Sequence, residues 1–264
     1  MAARRGLNSK GVWAAGGLAA VVLALTGYAM FGGGDEGSDA GKNTAGGGSS
    51  ASAPAKPQGT YSAPEDWVEP KRWVSLPRGQ RTNKNGLQLG FPHTAEGAVA
   101  QLVAANTTDV EGSTSVADVQ TQRYDAYMSA ADRSDANRKK IEQAAAKVDG
   151  QVRKKLGLPA DGDLPSGAYV RSSVVGYQVV KDSADEVGVF LLARATEKAG
   201  ETAPEQDSYT RTFMAARWEG GDWKLSSAAT VALGKSAMSN KPAIAAPGDP
   251  AFNTAGWTAI REAS

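Results

Sequence analysis

His93 is the one histidine of the chain, so any imidazole chemistry has to pass through it. It stands between Pro92 and Thr94, ahead of a helix-like segment, with neither an acidic orienter nor a nucleophile beside it in sequence. A catalytic base needs both, and His93 is read as a cap-region histidine bonding to backbone. Cysteine is absent. That excludes disulfides, iron–sulfur clusters, thiol catalysis and cysteine-ligated zinc. A Ser-His-Asp triad would depend on His93 alone, and a multi-histidine metal centre is impossible. Asp161 and Asp163, in LPADGDLP, open like a calcium loop. The spaced ligands and closing glutamate do not follow, and the run reads as a solvated turn. The glycine-rich stretch between residues 32 and 59 has no GK[ST] and no strand–turn–helix context, so it cradles no phosphate. The expectation is a protein without catalytic residues, cofactor or metal.

Two basic triplets carry more information: Arg138-Lys139-Lys140 and Arg153-Lys154-Lys155. They stand fifteen residues apart on one helix, about 4.2 turns, and so share roughly one side of it. Such a stripe could meet anionic lipid headgroups, cell-wall polymers or DNA. Asp132, Asp135, Glu142 and Asp149 are interspersed with it, which equally describes a solvated helix face. The whole chain has 29 basic and 28 acidic side chains, so no global field favours nucleic acid.

The elements that would position these residues follow from the hydrophobic pattern. Residues 11–34 contain no charge, while Arg4, Arg5 and Lys10 precede them and Asp35, Glu36 and Asp39 follow. The run is about long enough to cross a bilayer core as a helix. Its basic flank keeps residues 1–10 cytoplasmic and exports the rest. A cleaved signal peptide is the rival reading, but Tyr28, Met30 and Phe31 stand where a peptidase wants small residues. We assign 1–10 to a cytoplasmic tail and 11–31 to a transmembrane anchor. Residues 32–60 form a Gly/Ser/Ala/Pro linker, expected to be disordered because it offers no large apolar side chain to bury. Residues 61–92, with Pro64, Pro70, Pro77, Pro92, Trp67 and Trp73, read as an extended arm pinned onto a folded surface.

Residues 93–235 are assigned to an extracytoplasmic α+β domain. Thr94 can cap AEGAVAQLVAAN, and residues 115–130 offer Val116, Val119, Tyr124 and Tyr127 for burial. From about Ser134 to Leu156, the residues Ile141, Ala145, Val148, Val152 and Leu156 make one amphipathic stripe, which Gly157 and Pro159 terminate. Four β-rich segments follow at 168–181, 186–196, 208–219 and 223–227, the last two joined through Gly220-Gly221-Asp222. Helices first and hairpin-linked strands afterwards predict helices packed on one face of a curved antiparallel sheet. The tail, 236–264, should return to the domain through Phe252 and Trp257.

The order of tail, anchor, linker, helices and terminal sheet resembles the VirB-type assembly factors of type IV secretion and their Gram-positive conjugation counterparts. The hairpin RWEGGDWKLSS at 217–227, with a Trp on each side of its turn, resembles the closing hairpin of the nuclear-transport-factor-two-like cone. The phrase GFPHTAEGAVAQLVAAN (90–106), with LPRGQRTNKNG before it and FNTAGWTAI after it, is similar to a family of actinobacterial single-pass membrane proteins found in mobile-element contexts. The resemblance implies a non-enzymatic scaffold of a conjugative or type IV secretion-like complex. Its expected partners are the membrane and other membrane or secretion-complex proteins, with weak self-association and no direct nucleic acid. Two other readings stay open: an accessory subunit of a cell-envelope or lipid-import complex, and a small-molecule-binding or enzymatic cone-fold domain.

Overall fold

The computed structural model describes residues 67–261. The tail, anchor and linker assigned to 1–10, 11–31 and 32–60 therefore lie outside the described residues, as do the ends of the arm and of the C-terminal segment.

Three helices precede the long strands, each begun by a hydroxyl cap. Thr94 accepts from Gly97 N at the start of α1 (Ala95–Asn106). Ser115 and Asp118 form a reciprocal capping box at the start of α2 (Val116–Tyr127). Ser134 accepts from Asn137 N at the start of α3 (Asp135–Leu156), and Gly157 ends that helix at φ 69°. Such caps satisfy backbone N–H groups that the first turn leaves orphaned, and a left-handed C-cap suits glycine because it has no Cβ. The long strands are β5 (Ala168–Asp182), β6 (Glu186–Ala199) and β7 (Gln206–Glu219), with β8 (Asp222–Leu225) closing the last hairpin. Gly220 and Gly221 have φ 61° and 81° between the paired Glu219 and Asp222, the backbone of a type I′ turn.

Short elements that sequence periodicity could not reveal complete the architecture. They are β1 (Trp73–Val74), β2 (Arg81–Thr82), β3 (Gln88–Leu89), β4 (Thr108–Glu111), α4 (Ser227–Ala237), α5 (Pro250–Thr254) and β9 (Thr258–Ile260). The seven-stranded sheet runs β1-β9-β5-β6-β7-β8, with β4 also on β5, while β2 and β3 pair separately.

The expected fold class is corrected on three counts. The sheet is mixed, because β1 runs parallel to β9: arm and tail enter it side by side in the same direction. Among the described residues no helix is long and apolar enough to cross a membrane. Helices also pack on both faces of the sheet. Strand β6 shows the last point directly. Its Val189 and Leu191 join the α1 and α2 side chains Leu102, Tyr124 and Tyr127 in one cluster. Phe190 and Leu192, pointing the other way, join Phe213, Ala237, Phe252 and Trp257. A further inner cluster packs Val116, Val119, Ala145 and Val148 on Val110 and Val170. Phe252 and Trp257 are essentially inaccessible, and burying each contributes about 1.5–3 kcal/mol or more. That burial is why the tail becomes part of the sheet.

The arm is held at both ends. Ala259 N donates to Arg72 O (2.9 Å) and Arg261 N to Val74 O (2.8 Å). Further on, Gly90 N and Phe91 N donate to the two oxygens of buried Asp222, each at 3.0 Å. Trp67 remains 56% exposed although it lies over Gly248, where a Cβ would sit 2.1 Å from the indole.

Candidate functional site

The outer face of the sheet is covered only part of the way. On β6, Phe190 and Leu192 are buried beneath α4 and α5, but Arg194, Thr196 and Lys198 beyond them are only half-buried. There the face opens into a cleft of about 380 Å³, lined among others by Asp109, Tyr169, Arg171, Arg194, Thr196 and Glu205. Register explains their meeting. Asp109 stands opposite Arg171, Arg171 opposite Thr196, and Thr196 opposite Asp207.

Charges in the cleft are held in pairs. Arg171 Nε donates to Asp109 Oδ1 (3.1 Å) and its Nη2 to Glu111 Oε2 (2.8 Å), with the guanidinium 4.2 Å from the Tyr169 ring centroid. Arg194 Nη2 and Thr196 Oγ1 each donate to Asp207 at 2.6 Å. Burial pushes the Asp207 carboxyl up, but these two hydrogen bonds and the charge of Arg194 outweigh it and hold it below the ordinary range. The Tyr169 hydroxyl donates to Glu205, and that bond raises its pKa. Exposed pairs of this kind contribute about 0–1 kcal/mol to stability. What they provide is a surface of fixed, alternating charge, suited to recognition.

His93 is placed differently from expectation. Its ring stacks on Trp218 (centroids 3.9 Å apart, 8° between planes), and Nε2 lies 3.0 Å from Asp185 Oδ1. The partners are thus side chains and not backbone. Trp223, paired with Trp218 across the hairpin, anchors the cluster by donating from Nε1 to Pro92 O (2.8 Å).

The six basic residues of α3 are divided by the structure. Arg138 pairs with Asp125 and Glu142. Arg153 is buried, pairs with Asp149 at 2.8 Å, and donates to the carbonyls of Pro159 and Gly162. It therefore fastens the turn containing Asp161 and Asp163. Lys155 pairs with buried Glu197, whose carboxyl burial pushes up against the opposing pull of Lys155. Lys139, Lys140 and Lys154 face solvent. Among the described residues no group of three or more histidine, aspartate or glutamate side chains could hold a metal ion.

Sequence reasoning missed Arg171 and Arg194. The signal was present: after the unbroken apolar stretch VFLL, β6 switches to Ala-Arg-Ala-Thr alternation, as a strand does where one face becomes wet. Arg123 was also missed, although it lies i+7 from Val116 on the stripe of α2 assigned to burial. It is buried, and desolvation lowers its pKa to about 10 despite the nearby Tyr127 and Asp109. Comparison with protein-family models, with curated proteins and with solved structures finds no match to this chain.

Proposed function

We propose that this chain is a non-enzymatic, membrane-anchored extracytoplasmic scaffold of a conjugative or type IV secretion-like complex, and that it holds a partner at the outer-face cleft. The supporting observation is the cleft itself: an open space of about 380 Å³ whose cations and carboxylates are already paired with one another. Arg171 and Arg194 are fixed by Asp109, Glu111 and Asp207, so they present oriented donors without an activated nucleophile between them. A polypeptide segment with alternating charges complements such a surface. The sequence layout adds the uncharged run at 11–34 with basic residues before it, which would confine the domain near its partners. Confinement raises effective concentration, so each contact can be weak.

The test is crosslinking in intact cells followed by mass spectrometry, with wild type beside an Arg171→Glu/Arg194→Glu double variant. Recovery of a transfer ATPase or channel subunit by wild type, reduced at least fivefold in the variant, supports the reading. Recovery only of lipid-transport permease components moves the assignment to the envelope-accessory alternative.

A further inference from the structure

On the inner face, a polar belt separates the two apolar clusters at the same level of several elements. On α2, Val116 and Val119 belong to one cluster and Tyr124 and Tyr127 to the other, with Arg123 between them. On β5, Val170 and Val174 divide in the same way around Ser172. Thr108 of β4 stands opposite Ser172. Two further buried polar residues, Gln101 of α1 and Thr212 of β7, stand beside Leu102 and Met214 of the cluster that holds Tyr124 and Tyr127.

These side chains are deeply buried: Gln101 is 0% exposed, Ser172 2%, Thr212 4% and Arg123 9%. Their polar atoms lack protein partners to an unusual degree. Both amide atoms of Gln101, Nε of Arg123, Oγ of Ser172 and Oγ1 of Thr212 have none. The Arg123 guanidinium makes one long bond, from Nη1 to Val119 O at 3.4 Å. Among the described residues no carboxylate lies within ion-pairing distance of it. Buried polar groups in folded proteins are otherwise nearly all satisfied, and a buried cation without a counter-charge is strongly unfavourable. Thr108 and Ser172 also line the open cleft, so this end of the belt adjoins solvent.

We infer that the belt is a binding site for a small oxyanion, of the carboxylate or phosphate type, held by the Arg123 guanidinium with the Gln101 amide and the Ser172 hydroxyl as further donors. This site is internal and meets the outer cleft at Thr108 and Ser172, but it does not depend on a partner docking there. The chemistry is electrostatic: one buried positive charge with neutral donors beside it, on which the Asp109 carboxylate acts only from beyond ion-pairing distance.

The test uses the full chain labelled with 15N-arginine, titrated with inorganic phosphate and, separately, with acetate, at constant ionic strength. The expected result is a saturable shift of one buried arginine Nε–H signal that disappears in Arg123→Met and needs at least fivefold more anion in Ser172→Ala. Preference for acetate or for phosphate assigns the ligand to the carboxylate or the phosphoryl class. Arg123→Met should also unfold at higher temperature than wild type without anion, and should lose the anion-dependent rise. A merely structural arginine would instead leave the variant less stable at every anion concentration. Absence of any saturable shift in wild type overturns the proposal, because water alone then fills the belt. So does an anion-dependent rise in melting temperature of equal size in Arg123→Met. If Arg123→Met does not fold, the same titration on Ser172→Ala and Gln101→Leu decides, with unchanged anion response in both counting against the site.

Discussion

Asp222 is the most exposing point at which to perturb this fold. Its carboxylate is 2% exposed and collects donors from two distant pieces of chain. Phe91 N and Trp223 N both donate to Oδ1 at 3.0 Å, while Gly90 N donates to Oδ2 at 3.0 Å and Lys224 Nζ approaches Oδ2 at 3.3 Å. Asp222→Ala strands two N–H groups on residues that are themselves almost wholly buried, Phe91 and Trp223. At about 1–3 kcal/mol for each unsatisfied donor, the loss is about 2–6 kcal/mol. For a domain of this size, 1 kcal/mol moves the midpoint by about 2–4 °C, so the central expectation is a fall of roughly 8–16 °C. Asp222→Asn separates direction from charge. With its amide oxygen in the Oδ1 position, asparagine keeps both deeply buried donors and loses only Gly90 N and Lys224, so its fall should be less than half as large. Thermal unfolding of the full chain followed by tryptophan fluorescence reads both, since Trp218 and Trp223 lie beside the junction. A midpoint within about 2 °C of wild type for Asp222→Ala would refute the view that this carboxylate joins arm to sheet. Equal losses in the two variants would refute the assignment of acceptors.

Gly97→Ala should destabilise despite the better helix propensity of alanine, worth about 1 kcal/mol, because the new Cβ would lie 1.9 Å from Pro92 O. That oxygen also accepts from Thr94 N and Trp223 Nε1, each at 2.8 Å, and a neutral or raised midpoint in calorimetry would contradict the packing described. Asp207→Asn tests the cleft electrostatics through pH. A carboxyl held low in the folded state adds stability that is present above the ordinary aspartate range and is lost as pH falls through its lowered value. The gap in melting temperature between wild type and Asp207→Asn should therefore be widest near neutrality and close below about pH 4; a gap constant from pH 7 to 3 would rule out this origin.

Helices α1, α2 and α3 were legible because each carries its own start signal, Thr94, Ser115 and Ser134, and α3 carries an uninterrupted apolar stripe. The long strands were legible from β-branched runs between turn residues. Strands β1 and β9 were not, since two or three residues hold no period, and their pairing depends on segments nearly two hundred positions apart. Helix α4 was hidden by its Ala- and Gly-rich composition, although Ser226 caps it by accepting from Ala229 N. The second covered face could have been inferred from Val-Phe-Leu-Leu in β6, an unbroken apolar stretch that needs cover on both sides. The basic triplets could not be sorted residue by residue from sequence, because spacing reports which side of a helix a residue lies on, not what it meets there. Arg153 meets Asp149 one turn back along the helix and three loop carbonyls beyond its end, and those carbonyl contacts are invisible along the chain. The cleft arises where the cover of α4 and α5 ends, a boundary set by tertiary packing.

The proposal that the outer-face cleft holds a partner is tested most directly by a photo-crosslinking amino acid placed in the chain in living cells. One variant carries it at Tyr169, within the cleft, and another at Lys147, on the exposed side of α3. The account predicts a discrete adduct from position 169, identified by mass spectrometry as a second subunit of a membrane transfer complex, and none from position 147. No adduct at 169, or equal adducts from both positions, would contradict it.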